Sequence, residues 1–143
     1  MTDTDFDGLG ALTGAVTSVV VLDPDGTPNK VLDSGLPFGV RIRWTVTPPA
    51  TAAVLDGQWG VRVFAESIGP GPEVLIGQTA VAADGGVNYT TTITVPAGTL
   101  PADVPPLSGA YKLVVVITYR NSLNVLTEIA AFSEGPIVLI RQP

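Results

Sequence analysis

Val40-Arg41-Ile42-Arg43-Trp44-Thr45-Val46-Thr47 alternates apolar and polar side chains without a break. Successive side chains of a strand point to opposite faces, so Val40, Ile42, Trp44 and Val46 share one face and Arg41, Arg43, Thr45 and Thr47 the other. This period of two fits a strand buried on one side and does not fit the 3.6-residue stripe of an amphipathic helix. Pro48-Pro49 ends it at once, because proline cannot donate to a ladder.

The same rhythm continues on both sides of this stretch. Trp59, Val61, Val63 and Ala65 oppose Gly60, Arg62 and Phe64, and within Val87 to Val95 the residues Tyr89, Thr91, Ile93 and Val95 fall together. Upstream, Leu12 to Leu22 is rich in β-branched residues and stops at the turn signal Asp23-Pro24-Asp25-Gly26. Lys30 to Asp33 reads as a short edge segment, and Val74 to Ala82 as a strand closed by Asp84-Gly85-Gly86. Pro96 to Gly109, with four prolines and two glycines, reads as a long crossover. Tyr111 to Arg120 is nearly all apolar, as a central strand covered on both faces would be. Asn124 to Phe132 and Ile137 to Arg141 read as two strands separated by a break at Ser133-Glu134-Gly135-Pro136. Val125 to Ala131 is the one place where a helical turn competes. No stretch combines helical periodicity with caps. The expectation is an all-β fold, an antiparallel β-sandwich of seven to nine strands over residues 11–143 behind an acidic tail at 1–10.

Ser108-Gly109-Ala110-Tyr111-Lys112-Leu113 resembles the tyrosine corner of bacterial immunoglobulin-like domains. The resemblance implies that the Tyr111 hydroxyl bonds back across the crossover. It also implies that Leu113 takes the place of the antibody cysteine, and that Trp59 lies near the core tryptophan of strand C. It covers six residues and implies a fold, not an activity.

Among 143 residues there is no cysteine and no histidine. That removes disulfides, thiolate chemistry, zinc–thiolate sites and the Ser–His and Cys–His couples together. Thirteen acids against seven bases leave a net charge of −6, which disfavours nucleic acid and anionic membrane surfaces. Apolar residues make up 45% of the chain and charged ones 14%, yet no run approaches the ~20 residues of a membrane helix. The surplus apolar surface therefore goes into a generous core or meets a partner. The opening Met1-Thr2-Asp3-Thr4-Asp5-Phe6-Asp7 lacks the basic and apolar regions of a secretory leader, so the default address is cytoplasmic. A trimmed mature fragment would instead be extracellular.

Asp3, Asp5 and Asp7 with Gly8 match the first half of a calcium loop, but Gly14 stands where the bidentate glutamate belongs, so an acidic tail explains them better. Asp23-Pro24-Asp25-Gly26 is accounted for by a type I turn. Asp33, Asp56, Glu66, Glu73, Asp84, Asp103, Glu128 and Glu134 sit mostly at strand ends and loops, as solvated acids do. Thr90, Thr92 and Thr94 are explained by β propensity without a sugar ligand. The bases are distributed differently. Arg41, Arg43, Arg62, Lys112 and Arg120 lie in strands, and Arg62, Lys112 and Arg120 share an outward face with Phe64 if their two strands pair. Arginine and aromatic residues are enriched in interfaces, so Arg62, Phe64, Lys112 and Arg120 form the candidate protein interface. The expected function is a non-catalytic structural or interaction module without cofactor, a subunit or accessory domain of a larger assembly such as a phage-like particle, an injection apparatus or a shell, with another protein or itself as partner. A carbohydrate-binding or adhesion module and a small carboxylate-only hydrolase are the alternatives.

Overall fold

The computed structural model describes residues 13–69, 73–104 and 108–143. Among these, the chain order is β1 Thr13–Leu22, β2 Val31–Asp33, β3 Phe38–Thr47, α1 Pro49–Ala52, β4 Gln58–Ser67, β5 Glu73–Ala82, β6 Asn88–Val95, β7 Ala110–Arg120 and β8 Leu126–Arg141. Two sheets form the sandwich, one in the order β1-β3-β6 and the other in the order β2-β8-β7-β4-β5. The alternating octet lies in β3, where Val40, Ile42, Trp44 and Val46 are buried. Pairing is antiparallel except at one edge, where β2 runs parallel to β8. No hairpin joins these two strands, so turn geometry does not force them antiparallel.

The C-terminal region departs from the expectation of two strands. β8 runs unbroken from Leu126 to Arg141 through Ser133-Glu134-Gly135-Pro136. The register steps from Lys112↔Ile137 to Val114↔Glu134, so Gly135 and Pro136 together oppose Leu113. A β-bulge of this kind absorbs the extra residue and tolerates proline inside a strand. Leu126 to Ala131 is likewise strand and not helix. Pairing with β7 fixes it, with Ile129 and Ala131 buried at a spacing of two.

The inner faces of both sheets share one apolar core. At its centre Trp44 stacks on Tyr89 at 5.5 Å, meets Trp59 edge-on at 6.4 Å, and Trp59 reaches Tyr119 at 5.0 Å. Where the edge strands β5 and β6 meet, the two sheets are drawn close, since a Cβ on Gly77 would run into the Ile93 side chain.

The tyrosine corner is present. Tyr111 is buried and its hydroxyl donates to the Pro101 carbonyl at 2.9 Å, across the crossover. Gly109, two residues earlier, takes φ +71°, which favours glycine. Burial raises the phenols of Tyr111 and Tyr89 above the ordinary value of 10.0. Below that value both states keep the proton. Above it the unfolded chain ionises first, so stability is lost as pH rises through the folded-state pKa values. Tyr111→Phe is expected to cost about 1–2 kcal/mol at neutral pH, because the Pro101 carbonyl loses its donor, and to make the alkaline loss shallower. Urea midpoints at neutral and alkaline pH check both effects, and a midpoint unchanged at neutral pH would rule out the corner as a stabilising bond.

Candidate binding face

The outward face of the five-stranded sheet can be laid out row by row from the strand register. The first row reads Glu73, Glu66, Lys112, Ile137 across β5, β4, β7 and β8; the second reads Leu75, Phe64, Val114, Glu134. Then come Gln78, Arg62, Val116, Phe132, next Ala80, Gly60, Thr118, Ala130, and last Ala82, Gln58, Arg120, Leu126. β4 and β7 pair along their length, which brings Arg62, Phe64, Lys112 and Arg120 to this one face. Arg41 and Arg43 lie on β3 in the other sheet.

These rows divide into three zones. At the first two rows acids outnumber the single base, with Lys112 Nζ 3.7 Å from Glu134 Oε2 and Glu66 beside Lys112. Through the middle runs an apolar band of Leu75, Phe64, Val114, Val116 and Phe132, with Ile137 above it. Leu75 is 44% exposed, Phe132 37% and Ile137 53%. At the far end a shallow depression of about 140 Å³ is lined by Gln58, Gly60, Arg62, Gln78, Ala80, Thr118 and Arg120. Its floor is low because Gly60 and Ala80 have little or no side chain there. Among the described residues neither Arg62 nor Arg120 has a carboxylate at salt-bridge distance. Arg120 is held from the side, its Nη1 donating to the Asn124 carbonyl at 3.2 Å. The β7–β8 turn that presents this carbonyl is tied by Asn121, whose Oδ1 accepts from the amides of Leu123 and Val125.

Sequence reading alone did not identify Phe132, Gln58, Gln78 or Thr118 as members of this face. Alternation fixes which side a residue takes but not which distant strand lies beside it, so only the register reveals them.

The remaining candidates are placed as follows. Asp3, Asp5 and Asp7 lie outside the described residues. The Asp23 carboxylate accepts the amides of Asp25 and Thr27, both at 3.0 Å, and the Gly26 amide closes on the Asp23 carbonyl at 2.9 Å, as a turn requires. Glu66 and Glu73 face each other in the register on open sheet surface, not in a cleft. Thr90, Thr92 and Thr94 face Arg43, Arg41 and Gly39 on the outer side of the three-stranded sheet. An opening of about 770 Å³ lies between β1 and β8, where Lys30 and Glu134 are the charged lining groups. Both of its walls are bulged, β1 between Val16 and Ser18 and β8 at Gly135-Pro136. Bulges and proline are devices that blunt strand edges against further pairing.

No protein-family model matches the chain, and no curated protein matches it. Among solved structures the chain is similar to the C-terminal domain of wzt, with a TM-score of 0.64 and 10% identity, covering 96% of this chain and 78% of that one. BcpA, the major pilin subunit of Bacillus cereus, gives 0.42 at 11% identity, covering 91% of this chain and 41% of that one. A β-glucosidase from Listeria innocua gives 0.40 at 14% identity, covering 95% and 17% respectively. Likeness at this level carries architecture and no activity: the chain has an immunoglobulin-like β-sandwich fold.

Proposed function

We propose that this chain is a non-catalytic interaction module, a subunit or accessory domain of a larger protein assembly, and that it docks through the outward face of its five-stranded sheet. The observation that carries this reading is the band of outward apolar side chains on a regular sheet, Leu75, Phe64, Val116 and Phe132, flanked by Arg62 and Arg120. Interfaces combine such an apolar centre with arginine and a polar rim. Two further features support it. With no histidine or cysteine, proton shuttling would fall to carboxylates, and Glu66 and Glu73, which face each other, lie on open sheet surface. Both tryptophans and all three tyrosines are buried in the core, which leaves a sugar platform, among the described residues, only the outward phenylalanines.

Light scattering on size-exclusion peaks at high concentration, together with capture of partners, tests the proposal. An oligomer or a partner complex is expected, and Phe132→Lys should weaken it at least about tenfold, because a charge replaces an apolar contact at the centre of the face. The urea midpoint of that variant should stay near wild type, since Phe132 points away from the core. A monomer at all concentrations that captures nothing would end the proposal.

A further inference from the structure

On the reading that this face docks a partner protein, we propose that the depression over Gly60 is a carboxylate site, which seats an acidic side chain of that partner between Arg62 and Arg120. Gly60 lies between Ala80 and Thr118; the row on one side carries Arg62 and Gln78, and the row on the other carries Gln58 and Arg120. Outward rows along a strand are about 7 Å apart. A group resting over Gly60 is therefore one row from each arginine, within reach of both guanidiniums. The floor depends on glycine: a Cβ at position 60 would come 3.2 Å from Thr118 Oγ1 and raise the floor.

Charge decides what the hollow takes. The chain carries −6 overall, yet at this end two guanidiniums stand without a carboxylate partner among the described residues, whereas Lys112 at the other end has Glu134. Arginine presents a planar fork of N–H donors that matches the two oxygens of a carboxylate. The carbonyl of Asn124 already occupies one N–H of Arg120 and orients it, leaving the others for a ligand. Gln58, Gln78 and Thr118 add neutral donors around the same space.

The geometry favours a protein acid over an acidic sugar. The floor is Gly60, Ala80 and Thr118, with no ring on which a pyranose could stack. The outward aromatics lie outside the hollow, Phe64 beyond Arg62 and Phe132 two strands away in the row of Arg62. The apolar band continues directly from the hollow, as the centre of a protein interface adjoins its arginine anchors.

The test titrates the whole chain with a capped octaglutamate peptide, following backbone amides by NMR and affinity by fluorescence anisotropy. Oligogalacturonate and a capped neutral Ser-Gly peptide are titrated in parallel. Octaglutamate should shift the amides of Gly60, Ala80 and Thr118, bind more weakly as salt rises, and exceed the other two probes. Arg62→Gln and Arg120→Gln should each weaken it at least about fivefold, with Arg62→Lys recovering part. Arg43→Gln, the same charge change on the other sheet, should leave affinity unchanged. Equal weakening by Arg43→Gln, shifts away from Gly60, or no binding would overturn the site. Tighter binding of oligogalacturonate at Gly60 would overturn the protein assignment in favour of an acidic glycan. If octaglutamate fails while association dependent on Phe132 persists, the carboxylate site alone falls. If octaglutamate binds as described and no such association exists, the docking reading falls instead.

Discussion

Gly57→Ala is expected to cost at least about 4 kcal/mol, a large part of the roughly 5–15 kcal/mol by which a folded domain is stable. A Cβ at this position would run into the carbonyl oxygen of Arg120 and lie 2.8 Å from the carbonyl carbons of Arg120 and Asn121. These are backbone atoms at the end of β7, and no rotamer change moves them aside. Nor can Gly57 retreat. Its amide donates to the Tyr119 hydroxyl at 2.7 Å, and its carbonyl accepts from the amide of Ala83 at 2.9 Å. The next residue, Gln58, opens the ladders to both Ala82 and Arg120. Any shift that relieved the overlap would therefore open β4 on both sides and spoil the row that holds Gln58 and Arg120. Gly26→Ala is the matched control. It sits at φ +81° with nothing within 4 Å of the added carbon, so it should carry only backbone strain of about 1–2 kcal/mol. Urea unfolding compares the two variants, under the two-state behaviour usual for chains of this length. If Gly57→Ala unfolds at the wild-type midpoint, the close approach of β4 to the end of β7 is wrong.

How far the fold could be read from residues depended on distance along the chain. Val40 to Thr47 and Trp59 to Ala65 declare their buried faces through local alternation, and both strands are buried as that alternation requires. The Tyr111 corner could be read for the same reason, since its bond to Pro101 spans only ten residues. Ser133-Glu134-Gly135-Pro136 misled because glycine and proline mark a break wherever local rules act alone. Here Leu113, twenty residues away, fixes the segment as a bulge inside one strand. The strand reading of Asn124 to Phe132 holds from Leu126 onward, but only pairing with β7 decides it against a helical turn. The same limit applies to the binding face. Period two places Arg62, Phe64, Lys112 and Arg120 outward, but the hollow over Gly60 exists only because Ala80 and Thr118 arrive beside it in register. Whether Lys112 is free or paired likewise depended on Glu134, a neighbour visible only after folding.

Trp59→Ala is expected to cost about 3–5 kcal/mol, the range for removing a fully buried large aromatic side chain. Trp59 is 0% exposed, and its ring lies 5.0 Å from Tyr119, 5.8 Å from Tyr89 and 6.4 Å from Trp44. Those three rings come from β7, β6 and β3, so the indole bridges the two sheets and is not an adornment of one. Beyond the transfer free energy of its buried area, each well-placed ring pair contributes about 0.5–1.5 kcal/mol, and the truncation loses all three. Trp59→Phe keeps a ring in the slot and should cost less than half as much. Phe64→Ala, on the outward face of the same strand, should change stability by less than about 1 kcal/mol while weakening partner association. The contrast separates the two faces of β4 with one measurement, the urea midpoint, and a second independent one, the near-ultraviolet circular dichroism of the ring cluster. Equal midpoints for Trp59→Ala and Phe64→Ala would mean that the alternation along β4 does not divide core from surface. The outward position of Arg62 and Gly60 would then have no footing, because the same alternation that buries Trp59 is what turns them toward a partner.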